Sequence, residues 1–405
     1  MKSTRRPSVR LAIVAWVITR LFVLGITAAY FDGDTGLYYR LGRSWLDGQI
    51  PYRDFPVEYP PAAVTLFAAV AAVGSSFARF RVAFSLLCLA MDGVILAALL
   101  RGIGGGGGED DQARVRAAWL WSVVTACLFP VLYVRYDLVP AAMSVLGVHL
   151  LASRAGESVD DKRAAAGGAL LGLAVGLKLY PLVLLPFLLL RLRGRGPRRI
   201  WMVVTAATCL VVVGTFAPVL HAGAGASALA FLRYQCERGL QVESSYAGLL
   251  LLAKPQFHLD LWPAFSHGAH DIAGPMATRA AALAGLLQPA ALLAVTALAL
   301  RRRLPLPRGF AALLAAAILT ANVFSPQYLL WLMPFACAVC GPSLRRGAPL
   351  LVGIALLTSL LFPALYPALT AGHFGAALVL CARNLLLVAL LVTYVERRPD
   401  ERKMA

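Results

Sequence analysis

Charged residues are scarce in this sequence. Asp, Glu, Lys and Arg make up only 14% of the 405 residues, whereas 60% are hydrophobic, and the mean hydropathy is +0.73. Soluble globular domains carry about 25% charged residues. The composition therefore excludes a water-soluble fold of this size and predicts a polytopic membrane protein.

Signatures of several other protein classes are missing as well. The glycine-rich run 102–111 lacks the Gly-Lys-Ser/Thr ending of a phosphate-binding loop, so it is predicted to be a linker. Cys337 and Cys340 have CxxC spacing but lie inside an apolar run, and the histidine spacing between 258 and 270 matches no standard ligand set. We therefore expect no metal and no other cofactor. The chain also shows no internal repeat of the kind that builds secondary transporters.

Hydrophobic runs organise the whole chain, 1–405, into one predicted transmembrane domain. A spanning helix needs roughly 20 apolar residues, or fewer when it is tightly packed. We predict an all-α fold with about twelve transmembrane helices, at 11–30, 82–100, 117–134, 135–152, 164–180, 181–193, 200–218, 277–300, 309–324, 325–341, 349–366 and 375–395. The first run lacks a small-residue cleavage pattern, so we expect it to remain as an anchor.

The positions of the basic residues predict the orientation. The formal net charge is +18, and most of the 38 Lys and Arg residues fall near the N-terminus, in alternate connectors and in the C-terminal tail. Positive residues concentrate on the cytoplasmic side of membrane proteins. Both termini are therefore predicted to be cytoplasmic, with 31–61 and 219–276 as the large outer loops of a protein in the cytoplasmic membrane. The basic excess is a topology signal, and no nucleic-acid partner is expected.

Residues 62–78 break the simple alternation of spans. They are apolar enough to enter the bilayer, yet both of their ends are predicted to lie outside. Pro60 and Pro61 suit the start of a helix and not its interior. We predict a re-entrant or juxtamembrane helix here, whereas a true span would raise the count to about thirteen.

The first outer loop is rich in acidic and aromatic residues. Its carboxylates are Asp32, Asp34, Asp47, Asp54 and Glu58, and its tyrosines are Tyr38, Tyr39, Tyr52 and Tyr59, with Tyr30 just before it. Carboxylates can act as bases, and aromatic rings can stack on a sugar face. This combination at a membrane surface is suited to a lipid-linked sugar.

Polar side chains also interrupt the apolar runs, mostly near the predicted outer ends. Ionisable groups at membrane depth are costly and usually functional. Those predicted to face one outer cavity with the acidic loop are Arg135, Tyr136, Asp137, Lys178, Tyr180, Ser325, Gln327, Tyr328, His373, Arg383 and Asn384. Arg20 and Asp92 are the exception, because they lie near mid-depth. We predict that they form a buried ion pair that fixes helix packing, with a catalytic pair as the alternative.

Short motifs follow one another in a characteristic order along the chain. They are Gly33-Asp34, Tyr38, Gly48, Pro51-Tyr52, Asp54 and Glu58 to Pro61, then Arg135 to Pro140, Gly176 to Pro181, and Gln327-Tyr328. This order resembles glycosyltransferase family 87, membrane mannosyltransferases of the GT-C superfamily that use polyprenyl-phosphate mannose, and the resemblance extends from about residue 11 to 395. It implies a GT-C-type fold whose first extracytoplasmic loop contains juxtamembrane helices, and a transfer that inverts the sugar carbon.

The resemblance also implies roles for individual residues. The catalytic carboxylate of this superfamily lies early in the first outer loop and matches Asp34, a general base in this reading. Asp32 is its nearest competitor, and Glu58 is a second candidate acid. Lys178, Arg135 and Arg383 are expected to bind the donor phosphate, and Tyr38, Tyr59, Asp137, Tyr180, Gln327 and Tyr328 to contact the substrates. Snorkelling at a helix end is the alternative for Arg135 and Lys178, and loop anchoring for Glu58 and Tyr59.

Together these features predict an integral membrane glycosyltransferase. It would move a hexose, with mannose expected, from a polyprenyl-phosphate donor to a lipid or glycolipid acceptor at the outer face. Donors that carry glucose or the pentose arabinose are left open. The alternative is a transporter or flippase of a lipid-linked substrate, which would place polar residues through both leaflets. A non-catalytic assembly subunit is a second alternative, and the density of loop carboxylates argues against it.

Overall fold

The computed structural model describes residues 8–30, 34–74, 76–103, 111–152, 159–194, 197–339 and 342–396. Asp32, Cys340 and most of the glycine-rich run lie outside the described residues. Contacts divide the chain into two compact units: one contains Met1–Leu185 and Leu192–Glu237, and the other contains Pro186–Arg191 and Arg238–Ala405. Both are mostly helical, as predicted.

Helices build the first unit. Its elements are α1 (Val9–Tyr30), α2 (Thr35–Leu46), α3 (Pro61–Ala72), α4 (Phe77–Arg101), α5 (Asp111–Cys127), α6 (Phe129–Leu132), α7 (Leu138–Leu151), α8 (Asp161–Leu177), the 3₁₀ turn Tyr180–Val183, α9 (Leu185–Arg193, whose middle belongs to the second unit), α10 (Arg198–Gly214), α11 (Ala217–His221), the 3₁₀ turn Gly225–Leu229, and α12 (Ala230–Cys236).

Three glycines allow α10 to approach α8 closely. Gly168, Gly172 and Gly176 are spaced four residues apart and therefore share one face of α8. A Cβ added at Gly168 or Gly172 would lie 2.6 Å from the backbone oxygen of Val204 or Thr208 in α10. Small residues at this spacing are typical of contacts between membrane helices. The glycine face fixes α8, and with it the residue that follows the helix, against α10.

A buried ion pair joins the helices at the start of the chain. Arg20 Nε in α1 lies 2.7 Å from Asp92 Oδ2 in α4, and the two side chains are 2% and 0% exposed. Asp92 also accepts hydrogen bonds from Trp16 at 3.1 Å, from Trp121 at 2.7 Å and from Tyr133 at 2.7 Å. The predicted Arg20–Asp92 pair is confirmed, and its carboxylate is enclosed by donors from several helices.

Contacts at the helix ends fix the direction of α8 relative to α10. Asp161 pairs with Arg199 where the two helices start, and Gly176 contacts Thr215 near the ends of both. The helices are therefore parallel, and the chain between them has to return to the end at which it began. The 3₁₀ turn Tyr180–Val183 and α9 supply this return.

The second unit combines helices with a small sheet. Its elements are β1 (Leu240–Gln241), α13 (Ser245–Phe257), β2 (Trp262–Ser266), β3 (Ala269–Ala273), α14 (Pro275–Arg301), α15 (Leu306–Thr320), the 3₁₀ turn Pro326–Tyr328, α16 (Leu329–Cys337), α17 (Pro342–Ser359), the π-helical segment Leu360–Ala364, α18 (Tyr366–Thr370) and α19 (Phe374–Val395).

The sheet corrects the expectation of an all-α fold. It is antiparallel with strand order β1-β3-β2; Trp262 pairs with Ala273 at one end of the β2–β3 hairpin, and Leu240 of β1 pairs with Ile272. The strands have only two to five residues. Such short strands leave no alternating pattern long enough to be read from sequence, and the sheet was therefore missed.

Arginine side chains cap the C-terminal end of α19. Arg308 Nε donates to the carbonyl oxygen of Tyr394 at 2.7 Å, and Arg302 donates to that of Val395. Cations at this position satisfy free carbonyl groups and interact favourably with the helix dipole. The end of α14, the start of α15 and the end of α19 thus meet at one end of the second unit, where basic residues gather.

Within the described residues, six helices are long and apolar enough to cross a membrane: Val9–Thr27, Phe77–Arg101, Arg198–His221, Pro275–Arg301, Ser343–Ala364 and Phe374–Val395. The other predicted spans coincide with shorter or broken helices, such as α7 and α15. The protein is therefore a multi-pass membrane protein, and the count of about twelve spans remains a prediction.

Helix α3 occupies most of the segment that breaks the predicted alternation. It starts at Pro61, as the proline pair predicts, and has 12 residues. A helix of this length rises about 18 Å, less than the roughly 30 Å core of a bilayer. The length is compatible with the re-entrant or juxtamembrane helix proposed for 62–78, whose position in the membrane is still a prediction.

Candidate active site

Asp34 lies at the start of α2 and forms an ion pair with Arg135. The side chains of Asp34 and Arg135 are 30% and 14% exposed. Asp34 occupies the N-cap position of α2, but its side chain makes no capping hydrogen bond. The carboxylate that the family resemblance implies as the base is thus turned towards Arg135, which lies in the turn between α6 and α7.

The turn before α7 connects the acidic loop to the end of α8. Arg135 contacts Asp34, the Tyr136 hydroxyl donates to the Leu177 carbonyl at 3.2 Å, and Asp137 Oδ1 lies 2.6 Å from Lys178 Nζ. Lys178 Nζ also lies 4.8 Å from the centre of the Tyr136 ring. Three consecutive residues therefore bind three different partners, and two carboxylates are brought together with two cations.

Aromatic rings pack behind these ion pairs. Tyr38 stacks on Phe67 with ring centres 4.3 Å apart, and it meets Tyr59 and Tyr136 edge-on at 5.6 and 5.5 Å. Tyr38 is only 1% exposed. Burial raises the pKa of the hydroxyls of Tyr38 and Tyr59, so both stay neutral near neutral pH. Tyr38 is placed to support the site from behind, and Tyr59 is the more accessible ring.

Glu58 is held by the start of the second outer segment. The Tyr234 hydroxyl in α12 donates to the Glu58 carboxylate, and Gln235 Nε2 donates to the Glu58 carbonyl at 3.2 Å. The Tyr52 hydroxyl donates to the Tyr59 carbonyl at 2.6 Å, which braces the same stretch from within the loop. Sequence reasoning missed Tyr234 as a site residue, because no local motif marks a partner 176 positions away.

Two other predicted site residues of the first unit are buried. Asp137 is 0% exposed and holds Lys178. The Tyr180 hydroxyl lies 3.2 Å from the Ser144 hydroxyl and the residue is 8% exposed. In this conformation both are placed to position neighbouring groups, and their direct contact with a substrate remains a prediction.

The remaining predicted site residues belong to the second unit. Arg383 is fully buried: its Nη2 donates to the Glu243 carbonyl at 2.7 Å, its Nη1 lies 3.6 Å from Glu243 Oε1, and its guanidinium carbon lies 3.7 Å from the centre of the Phe324 ring. Gln327 accepts a hydrogen bond from Ser325 at 2.6 Å, and Tyr328 stacks on Trp331 at 4.0 Å. Arg383 therefore has a carboxylate partner of its own, and its predicted phosphate contact is untested, like those of Gln327 and Tyr328.

The arrangement in the first unit has the parts of an acid–base site. A partly exposed carboxylate can accept a proton, and a guanidinium and an ammonium beside it can bind a phosphate. In the part of the chain that the structure describes, no group of three or more His, Cys, Asp or Glu side chains is arranged to hold a metal ion. Proton transfer next to a bound anion is one chemistry that the Asp34, Arg135, Asp137 and Lys178 group can perform.

Solved structures with a related course of the chain share little sequence with it. ArnT from Cupriavidus metallidurans bound to undecaprenyl phosphate is 15% identical, with a TM-score of 0.46, over 96% of this chain and 76% of that chain. The oligosaccharyltransferase of Archaeoglobus fulgidus in the apo form is 16% identical, with a TM-score of 0.46, over 97% of this chain and 59% of that chain. A comparison with curated proteins finds no match.

The sequence model of glycosyltransferase family 87 matches residues 57–326, which is more than half of the chain. The matched range includes Glu58, Arg135, Asp137 and Lys178, whereas Asp34 precedes it. The family resemblance seen in the order of the motifs is thereby confirmed. This multi-pass membrane protein belongs to glycosyltransferase family 87.

Proposed function

We propose that the protein transfers a hexose, with mannose as the first candidate, from a polyprenyl-phosphate donor to a lipid or glycolipid acceptor. Family membership supports glycosyl transfer. The observation that carries the rest is the meeting of Asp34 and Arg135 with Asp137 and Lys178, which puts a candidate base next to candidate phosphate ligands. A structural subunit would not need a base next to phosphate ligands.

Asp34 is the proposed general base. Its carboxylate would take the proton of the acceptor hydroxyl as that oxygen attacks C1 of the donor sugar. The bond between C1 and the phosphate oxygen breaks on the opposite face, so the sugar carbon is inverted and polyprenyl phosphate leaves with the bonding electrons. Glu58, and Asp32 outside the described residues, are the competing candidates for this role.

Lys178 and Arg135 are the proposed ligands of the donor phosphate. The phosphate gains negative charge as it leaves, and fixed cations stabilise that charge most strongly where water is scarce. Lys178 is suited to this because the 2.6 Å contact with Asp137 and the ring of Tyr136 fix its ammonium group. A leaving group stabilised in this way needs no proton from an acid. The phosphate contact predicted for Arg383, in the second unit, is a separate prediction.

The reaction is proposed to take place at the outer face of the cytoplasmic membrane, with both termini cytoplasmic. The site groups lie at the start of α7 and the end of α8. The opposite ends of these helices adjoin basic connectors: His149 near the end of α7 contacts the Gly102 carbonyl at 3.0 Å, and Arg199 pairs with Asp161 at the start of α8. The concentration of Lys and Arg in these connectors supports this orientation.

A direct assay tests the proposal. Purified protein in liposomes is incubated with radiolabelled polyprenyl-phosphate mannose, glucose or arabinose and a membrane lipid extract, and the labelled products are identified. A labelled lipid or glycolipid formed from one donor, and absent with Asp34→Asn, is the expected result. Movement of the donor between leaflets without any covalent product would instead identify a flippase and refute the proposed transfer.

A further inference from the structure

The two ion pairs of the candidate site differ in how easily their members can change partners. Asp137 is 0% exposed and Lys178 is 17% exposed, so this pair is enclosed by protein on the carboxylate side. Asp34 is 30% exposed and Arg135 is 14% exposed. The Asp34 carboxylate can therefore be reached from outside the protein, whereas the Asp137 carboxylate cannot, and the two cations are similarly exposed.

The side chain of Asp34 is directed to Arg135 and not to its own helix. An aspartate at the N-cap commonly accepts a hydrogen bond from a backbone N–H two or three residues further on. Asp34 makes no such bond at the start of α2, where its backbone (φ −89°, ψ 4°) departs from the extended conformation usual for a cap, and it binds Arg135 instead. Arg135 is therefore the partner that the structure gives to the proposed base.

The proposed functions of Asp34 and Arg135 compete with their mutual contact. A base must offer a lone pair to the acceptor hydroxyl, and the ion pair directs the Asp34 carboxylate to Arg135. The planar fork of Arg135 can bind either the Asp34 carboxylate or two phosphate oxygens. A phosphate that binds Arg135 would therefore compete with Asp34 for the guanidinium.

We propose that the donor phosphate displaces Asp34 from Arg135, so that the base becomes available to the acceptor only after the donor is bound. This inference rests on the proposed function and adds an order of binding to it, donor before acceptor. The other charged groups of the site keep their partners in this step: Lys178 stays on Asp137, and Glu58 stays on Tyr234. Lys178 then gives the phosphate a constant contact, and Arg135 gives it the exchangeable one.

Competition for Arg135 can be measured by binding alone. The probe is a polyprenyl phosphate titrated into protein in lipid nanodiscs, with no acceptor present. Asp34→Asn removes the competing carboxylate charge and should tighten the Kd about ten-fold, a common size for coupled equilibria. Arg135→Gln should weaken binding, and adding Asp34→Asn to Arg135→Gln should change nothing further, because the contested group is gone.

The control is Asp47→Asn in the same outer loop. Asp47 pairs with Arg43 at 2.7 Å, and its side chain is 58% exposed. The Asp47→Asn substitution removes the same charge next to a different arginine. The Kd for polyprenyl phosphate should therefore stay at the wild-type value. Asp34→Ala carries the same expectation as Asp34→Asn if the asparagine variant does not fold.

The possible outcomes separate the two claims. Wild-type protein that binds the probe, with an Asp34→Asn variant that binds it equally or more weakly, would overturn the displacement and leave the proposed function standing. Equal tightening by Asp47→Asn would also overturn it, since the effect would then be one of overall charge. Wild-type protein that does not bind polyprenyl phosphate at all would overturn both.

Discussion

The Arg20–Asp92 and Asp34–Arg135 pairs join the same two residue types within the first unit, but their surroundings are opposite. Asp92 is fully buried and accepts hydrogen bonds from Arg20, Trp16, Trp121 and Tyr133. Asp34 is 30% exposed and has not used the capping position of its own helix. The Asp92 carboxylate is enclosed by donors and cannot bind a substrate. The Asp34 carboxylate has an exposed side and a partner that it can exchange, so it can bind one.

This difference separates stability from activity. A buried pair is costly to break because the surviving charge is left without a partner. A partly exposed pair contributes little to stability, since water can replace the lost partner. Substitutions in the enclosed pair should therefore unfold the protein, and substitutions in the open pair should inactivate it without unfolding it.

The largest effect on stability is expected for Asp92→Ala. It leaves Arg20 charged among helices, and broken buried pairs typically cost about 3–5 kcal/mol in the free energy of unfolding. Denaturation in detergent should show this loss, and Arg20→Ala added to it should recover a part. The control is Asp111→Ala, because that side chain is 94% exposed and should contribute little to the free energy of unfolding. Strictly additive losses for Arg20→Ala and Asp92→Ala would show that the two residues do not depend on each other.

The largest effect on activity is expected for Asp34→Asn. The amide keeps the shape of the side chain but cannot act as a base, and general-base assistance contributes about 10²- to 10⁴-fold in rate. Transfer should fall to about a hundredth of the wild-type rate or less, with an unchanged melting temperature. Asp32→Asn should have a milder effect.

Two results would contradict this assignment in different ways. If Asp34→Asn transfers normally while Asp32→Asn or Glu58→Gln is inactive, the base is another carboxylate of the same loop. If all three variants remain active, the proposed mechanism is wrong.

Some of these contacts could be predicted from the sequence, and others could not. Arg20 and Asp92 interrupt long apolar runs at similar depth, and the cost of a lone charge there requires a partner, so their pairing followed from physics. Helix positions followed from the apolar runs in the same way. The contact of Tyr234 with Glu58 and the three short strands depend on how distant segments pack. No local pattern encodes such contacts.

The candidate site was predicted only in its composition. Asp34 was singled out by the family resemblance, and Arg135, Asp137 and Lys178 were singled out because charged residues near the ends of apolar runs are unusual. Which of these residues form pairs was not predicted, because each carboxylate could have paired with either cation. The assignment of Asp34 to Arg135 and of Asp137 to Lys178 depends on the distance between the α2 start, the turn before α7 and the end of α8.

The Asp137–Lys178 pair is intermediate. Its carboxylate is buried like that of Asp92, and the pair lies at the candidate site, as Asp34–Arg135 does. Asp137→Asn should lower stability by about 1–3 kcal/mol, the cost of leaving a polar group poorly paired. It should also reduce donor affinity and turnover together, because a misplaced Lys178 would lose the phosphate in both the ground state and the transition state. Lys178→Ala should reproduce the kinetic effect. A loss of stability with unchanged donor KM in Asp137→Asn would show that the pair is only structural.

The smallest effect on stability and activity is expected for the Arg43–Asp47 pair, which is the most exposed of the four pairs. The two side chains are 32% and 58% exposed, lie 2.7 Å apart and are four residues apart at the C-terminal end of α2. Exposed pairs at this spacing contribute about 0.3–0.5 kcal/mol, and salt screens them. Arg43→Gln and Asp47→Asn should therefore leave the transfer rate unchanged and shift the melting temperature slightly, by an amount that disappears at high salt. A loss of transfer in either variant would show that charge anywhere in the outer loop is required, and the division between an enclosed structural pair and an open functional pair would fail.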